Sequence, residues 1–99
     1  MEEMCQCKKT SRPENMTKSI DTRLNKIEGQ VKGIKGMLER DAYCDDILTQ
    51  ISSVQSALGS VAKLILEHHI HNCVKEKIEQ GDEEIIDELM VTFSKMLKL

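Results

Sequence analysis

The stretch "CDDILTQISSVQSALGSVAKLILEHHIHNC", residues 44–73, decides the fold through its spacing. Ile47, Ile51, Val54, Leu58, Val61 and Ile65 recur at steps of three and four, which marks one apolar stripe of an amphipathic helix. No proline or polar turn cluster interrupts it, and the rhythm continues through the histidines toward Gln80, so one long helix is expected. The middle, Ser52 to Ser60, is rich in small side chains that let a second helix pack closely.

On the N-terminal side, Ile20, Leu24, Ile27, Val31, Ile34 and Leu38 keep the same rhythm from Thr17 onward and predict a first helix. Its opposite face carries Gly29, Gly33 and Gly36, a strip slim enough for close approach by another backbone, flanked by Arg23, Lys26 and Gln30. The pattern resets at Arg40 to Tyr43, where Asp41 or the Asp45/Asp46 pair can cap the long helix. Beyond it, Gly81 and Asp82 read as a C-cap followed by an N-cap, and Ile85, Ile86, Leu89, Met90, Phe93 and Leu97 form a short third helix. Residues 1–17 are polar, hold the single proline and show no period, so the expected organisation is a tail of 1–17 and a helical domain of 18–99.

Ninety-nine residues make one domain, and with 2% aromatic residues its packing rests on Ile, Leu, Val and Met. An all-α fold follows: a three-helix protomer with a long central helix. Such a set closes a core poorly alone, which points to an antiparallel helix-paired dimer. No apolar run is long enough to span a membrane and the N-terminus lacks a signal-peptide core, so a cytoplasmic protein with no membrane partner is expected. In a reducing cytosol, four cysteines favour metal binding or redox sensing over disulfides. The net charge of −3 hides an asymmetry: residues 1–40 hold nine Lys/Arg against six Asp/Glu, whereas residues 41–99 hold five against eleven. The N-terminal half can therefore present a positive face.

Three residues stand out as soft ligands. If the long helix is continuous, Cys44, His69 and Cys73 fall within about 40° of one another around it. Cys44 and His69 are 25 residues apart, about 37 Å along the axis, so one straight helix cannot bring both to one ion. Two antiparallel copies crossing near Ala57 and Leu58 place Cys44 of one opposite the His69/Cys73 region of the other. A helix broken at Gly59 and folded into a hairpin is the rival geometry. Two thiolates and an imidazole suit three-coordinate Cu(I), whereas Zn(II) usually seeks a fourth ligand and Ni(II) more nitrogen or oxygen donors. The same residues also read as small buried hydrophobes and a satisfied core histidine, and spacing alone leaves both open. His68 and His71 point off this face and read as surface residues. Cys5 and Cys7 form a C-x-C pair on the tail, either an auxiliary metal or redox site or two dispensable thiols.

Taken together, "TRLNKIEGQVKGIKGMLERDAYCDDILTQISSVQSAL", "HHIHNCV" and "GDEEIIDELM" resemble the copper-sensing branch of the bacterial CsoR/RcnR family, over about residues 20–95. The resemblance implies an all-α dimer of dimers without a helix-turn-helix, bound to double-stranded promoter DNA when metal-free and released by Cu(I). It carries the ligand pattern onto Cys44, His69 and Cys73, and an outer tyrosine and glutamate onto Tyr43 and Glu88. Nickel/cobalt sensors of the family put His where Cys73 stands, and persulfide sensors lack the histidine. The family's basic surface carries onto Arg23, Lys26, Gln30 and Lys32, with Lys63, Lys75 and Lys77 as further candidates for phosphate contact.

The expected function is thus a Cu(I)-responsive transcriptional repressor controlling copper-resistance genes. A cytosolic copper buffer or chaperone is the alternative from another class, and a same-fold sensor of another metal or of persulfide is a third. Enzymatic chemistry is disfavoured because the chain has no C-x-x-C, no glycine-rich phosphate loop and no paired carboxylates in a plausible pocket.

Overall fold

The computed structural model describes residues 9–97, and those residues contain helices and no strand. Cys5 and Cys7 lie outside the described residues. The chain divides into two compact units, one formed by Arg12–Ile65 and the other containing Leu66 onward.

In the first unit, α1 spans Glu14–Glu39 and α2 starts at Cys44. Helix α1 begins ahead of the apolar stripe, so residues 14–17, read above as tail, are helical. The cause is Pro13, whose ring fixes φ at −56° and whose carbonyl accepts from the N–H groups of Met16 and Thr17, both at 3.1 Å. Glu14 in the first turn suits the positive end of the helix dipole and pairs with Lys18 at 3.3 Å.

The helix ends in a Schellman motif. Asp41 adopts φ 54°, its N–H donates to Leu38 O at 3.2 Å, and the Ala42 N–H donates to Met37 O at 2.9 Å. Asp41 therefore closes α1 and does not cap α2. The start of α2 is instead marked by Tyr43 O, which accepts from the N–H groups of Asp46 and Ile47, with Asp45 and Asp46 at the dipole's positive end.

A four-residue link, 40–43, makes α1 and the first part of α2 antiparallel neighbours. Their seam is Ile20, Ile27, Val54 and Val61, all buried, with Met16, Ile34, Ala57 and Ile65 packed partly against them. These are alternate members of the two sequence stripes. The others stay open: Leu24 is 41% exposed, Leu38 60% and Leu58 46%. One chain thus buries roughly half of each stripe, and no large side chain among the described residues is fully enclosed.

Helix α2 runs from Cys44 to His69 without a break at Gly59, which excludes the hairpin geometry. The long helix then departs from the expected form. Residues Ile70–Val74 form one π-helical turn, with the Lys75 N–H donating to Ile70 O, before α-helix resumes as α3, Lys75–Glu79. A second Schellman motif closes α3. Gly81 adopts φ 84°, its N–H donates to Ile78 O, and the Asp82 N–H donates to Lys77 O, both at 2.9 Å. Asp82 Oδ1 then accepts from the Glu84 N–H at 3.0 Å and starts α4, Glu84–Leu97. Among the described residues of this unit, Val74 and Ile85 are buried. None of the described helices is long and apolar enough to cross a membrane.

Candidate metal centre and nucleic-acid interface

Cys44 is the first residue of α2; its thiol is free and the residue exposed. His69 is the last residue of α2, and Cys73 lies inside the π turn that follows; both are half-buried and the Cys73 thiol is free. Among the described residues no group of three or more His, Cys, Asp or Glu side chains is gathered around a common point. What the chain does supply is a pair, His69 and Cys73, four residues apart on continuous helical backbone.

The π turn bears on that pair. In an α-helix, four steps rotate through about 400°, overshooting a full turn by about 40°. Closing the ring from i to i+5 rotates each residue less, so the four steps from His69 to Cys73 come nearer to one whole turn. A single π turn inside a helix is uncommon and recurs at functional sites. The sequence carries no trace of it: Leu66 precedes Ile70 by four residues, within the three-four rule of the helix.

The neighbouring histidines divide. His71 is exposed, as expected. His68 is not a surface residue: it is half-buried, and its Nδ1 is shielded from solvent without a hydrogen-bond partner. The three-four rhythm of α2 explains this, since His68 follows Ile65 by three residues and continues the apolar stripe. Its backbone carbonyl accepts from Asn72 Nδ2 at 2.9 Å.

Tyr43, beside Cys44, is 72% exposed. Glu88, on α4, is exposed and lines a shallow groove with Lys77, Asp82, Glu84 and Ile85. Lys77 in that groove pairs with Asp82 at 3.9 Å.

The basic residues of α1 separate by face. Arg23, Lys26 and Gln30 border a groove of about 190 Å³ whose other wall is Ala57 and Ser60 of α2 and whose floor is Ile27. Two cations, an amide and a hydroxyl around one cleft are a fitting set for phosphate oxygens. Ser60 was legible only as a small packing residue, because nothing in a serine's position announces a groove. Lys32 is exposed on α1 away from this cleft, Lys63 is exposed on α2, and Lys75 and half-buried Lys77 belong to the second unit. The glycine strip stays open: a methyl group added at Gly29 or Gly33 meets nothing within 4 Å, and one at Gly36 meets Arg40 Nη1 at 3.2 Å.

A helical chain with free thiols and an imidazole at the ends of one helix and a cationic cleft beside it has the features of a metal-responsive DNA-binding protein. The chain belongs to the metal-sensitive transcriptional repressor family, whose model matches residues 16–95. Among its relatives, the copper-sensing transcriptional repressor CsoR of Bacillus subtilis (strain 168) is 52% identical over 80% of this chain and 79% of its own. The copper-sensing transcriptional repressor RicR of Mycobacterium tuberculosis is also 52% identical, over 60% of this chain and 62% of its own. The fold matches the crystal structure of the copper-sensing repressor CsoR with Cu(I) from Geobacillus thermodenitrificans NG80-2, with a TM-score of 0.82 and 40% identity over 91% of this chain and 95% of that one. It also matches the nickel-responsive transcriptional regulator InrS, with a TM-score of 0.70 and 29% identity over 90% of this chain and 98% of that one.

Proposed function

We infer that this chain is a Cu(I)-responsive transcriptional repressor that binds promoter DNA without metal and leaves it when Cu(I) is bound, in a cytoplasmic setting. The observation that carries the reading is the donor set: two free thiols and one imidazole, Cys44, Cys73 and His69, on a chain 52% identical to a copper-sensing repressor. Thiolates and imidazole in a set of three suit Cu(I), and the thiol at position 73 separates this set from one built for a harder metal.

Because α2 is unbroken, its first residue and its last cannot share an ion within one chain. The site is therefore shared: Cys44 of one protomer meets His69 and Cys73 of the partner subunit across an antiparallel α2 pair. The apolar residues left open on α1 and α2, Leu24, Leu38 and Leu58 among them, supply the surface that a second copy covers. Pairs of such dimers form the tetramer.

Arg23, Lys26 and Gln30, with Ser60 opposite, hold DNA phosphates, and Lys32, Lys63, Lys75 and Lys77 add to the positive surface. Holding Cu(I) draws Cys44 toward the pair at the other end of the partner's helix and favours a conformation with lower DNA affinity; by linkage, DNA weakens copper binding by the same factor. Tyr43 and Glu88 contribute to that coupling through hydrogen bonds around the ligands.

Fluorescence anisotropy of the protein on DNA from upstream of its own gene, titrated anaerobically with Cu(I) and separately with Ni(II), tests the reading. Release at about one Cu(I) per protomer with little response to Ni(II) is expected. Stoichiometric copper uptake with no DNA binding at any salt concentration contradicts it and identifies a copper buffer instead.

A further inference from the structure

Between the two ligands supplied by one end of the helix, His69 and Cys73, the backbone is not α-helical, and one side chain spans the irregular stretch. Asn72 Nδ2 donates to His68 O at 2.9 Å. The bond covers the i to i−4 step that a backbone N–H spans in an α-helix, at a place where the ladder has shifted to i to i−5, as the Lys75 N–H to Ile70 O bond shows. It ties the residue before His69 to the residue before Cys73, so it bridges the same four-residue interval as the two ligands, one position upstream.

We propose that Asn72 is a positioning residue for the metal site: its hydrogen bond to the His68 carbonyl holds the π turn that sets His69 and Cys73 in register. The inference rests on the ligand set proposed above. An uninterrupted α-helix carries Cys73 about 40° past His69, and the π turn removes part of that offset. Asn72 touches neither ligand's donor atom and acts through the backbone. His68 itself is half-buried, with its Nδ1 shielded from solvent.

Among the described residues, four other side chains make the same i to i−4 bond to a carbonyl: Thr22 to Lys18, Thr49 to Asp45, Thr92 to Glu88 and Ser94 to Met90. None of these lies in the π turn. They show that a hydroxyl makes this contact here at 2.9 to 3.2 Å, so serine at position 72 is expected to keep the bond while alanine loses it. Ser94→Ala removes an equivalent bond away from the ligands and serves as the control.

The test is anaerobic Cu(I) binding to the full chain in competition with a chromophoric Cu(I) chelator, together with Cu near-edge X-ray absorption of the bound metal. Asn72→Ala is expected to weaken Cu(I) binding about tenfold and to alter the absorption edge, while Asn72→Ser and Ser94→Ala stay within about twofold of the parent chain. Asn72→Asp, which keeps the shape and replaces the donor with an acceptor facing His68 O, is expected to behave like Asn72→Ala and stands in for it if the alanine variant does not fold. Affinity and edge unchanged in both the alanine and aspartate variants overturn the proposal, as does a serine variant that falls as far as alanine. A parent chain that takes up no Cu(I) overturns the ligand set itself, and the inference with it.

Discussion

Lys77 and Asp82 are tied twice: the Asp82 N–H donates to Lys77 O at 2.9 Å, and Lys77 Nζ lies 3.9 Å from Asp82 Oδ2. The backbone tie needs Gly81 between them at φ 84°, a left-handed conformation that a side chain makes costly. The ion pair is half-exposed and long. Gly81→Ala is therefore expected to destabilise the fold by about 1–2 kcal/mol, and Lys77→Ala by less than about 1 kcal/mol, in thermal or urea unfolding. Equal losses from the two substitutions would contradict this ranking.

Asp41 holds the corresponding position at the end of α1 with φ 54°, and here the residue is not glycine. Aspartate tolerates the left-handed region better than most residues but still carries its cost. Asp41→Gly is expected to stabilise the protein by about 0.5–1 kcal/mol, seen as a higher midpoint in the same unfolding measurement. A lower midpoint would show that the Asp41 side chain contributes more than its backbone strain removes.

The helices, the Gly81–Asp82 boundary and the placing of His69 and Cys73 four residues apart on helical backbone were legible because each has a local signature: a three-four stripe, a glycine followed by a capping aspartate, a four-residue His–Cys spacing. The π turn was not, because its bonds differ from those of an α-helix by one residue and the apolar spacing through it, Leu66 to Ile70 to Val74, keeps the four-residue step of an α-helix. His68 was misread for a different reason. A histidine carries no apolar signature of its own, yet His68 follows Ile65 by three residues, the same step as Ile51 to Val54, and so lies on the apolar stripe. Pro13 hid the true start of α1, since a lone proline in a polar segment reads equally as tail or as helix entry.

Leu58, 46% exposed near the centre of α2, stands where two antiparallel copies are expected to cross. Burying a glutamate there without a partner costs several kcal/mol on the scale of charge burial. Leu58→Glu is expected to convert the assembly to monomers by sedimentation velocity, while Ser56→Glu, at an exposed polar position about 160° around the helix from Leu58, leaves it intact. An unchanged assembly in Leu58→Glu would place the interface elsewhere.

Arg23 borders the cationic cleft and Lys32 does not. If the cleft seats a phosphate, Arg23→Ala reduces the slope of log affinity against log salt concentration by about one per protomer engaged, and Lys32→Ala changes it less. Anisotropy measured across a series of salt concentrations reads both slopes. Equal effects would mean that the positive charge acts diffusely, with no role for the cleft formed with Ser60.

The most direct test of the shared copper site mixes two inactive variants. Cys44→Ala and Cys73→Ala each lack one ligand, so dimers of either alone are expected to lose high-affinity Cu(I) binding. In a mixed dimer, one of the two sites receives Cys44 from the Cys73→Ala chain and His69 and Cys73 from the Cys44→Ala chain. Purified heterodimers carrying two different affinity tags are expected to bind one Cu(I) per dimer with the parent affinity. Heterodimers that bind none, like the two homodimers, would contradict a site completed between protomers.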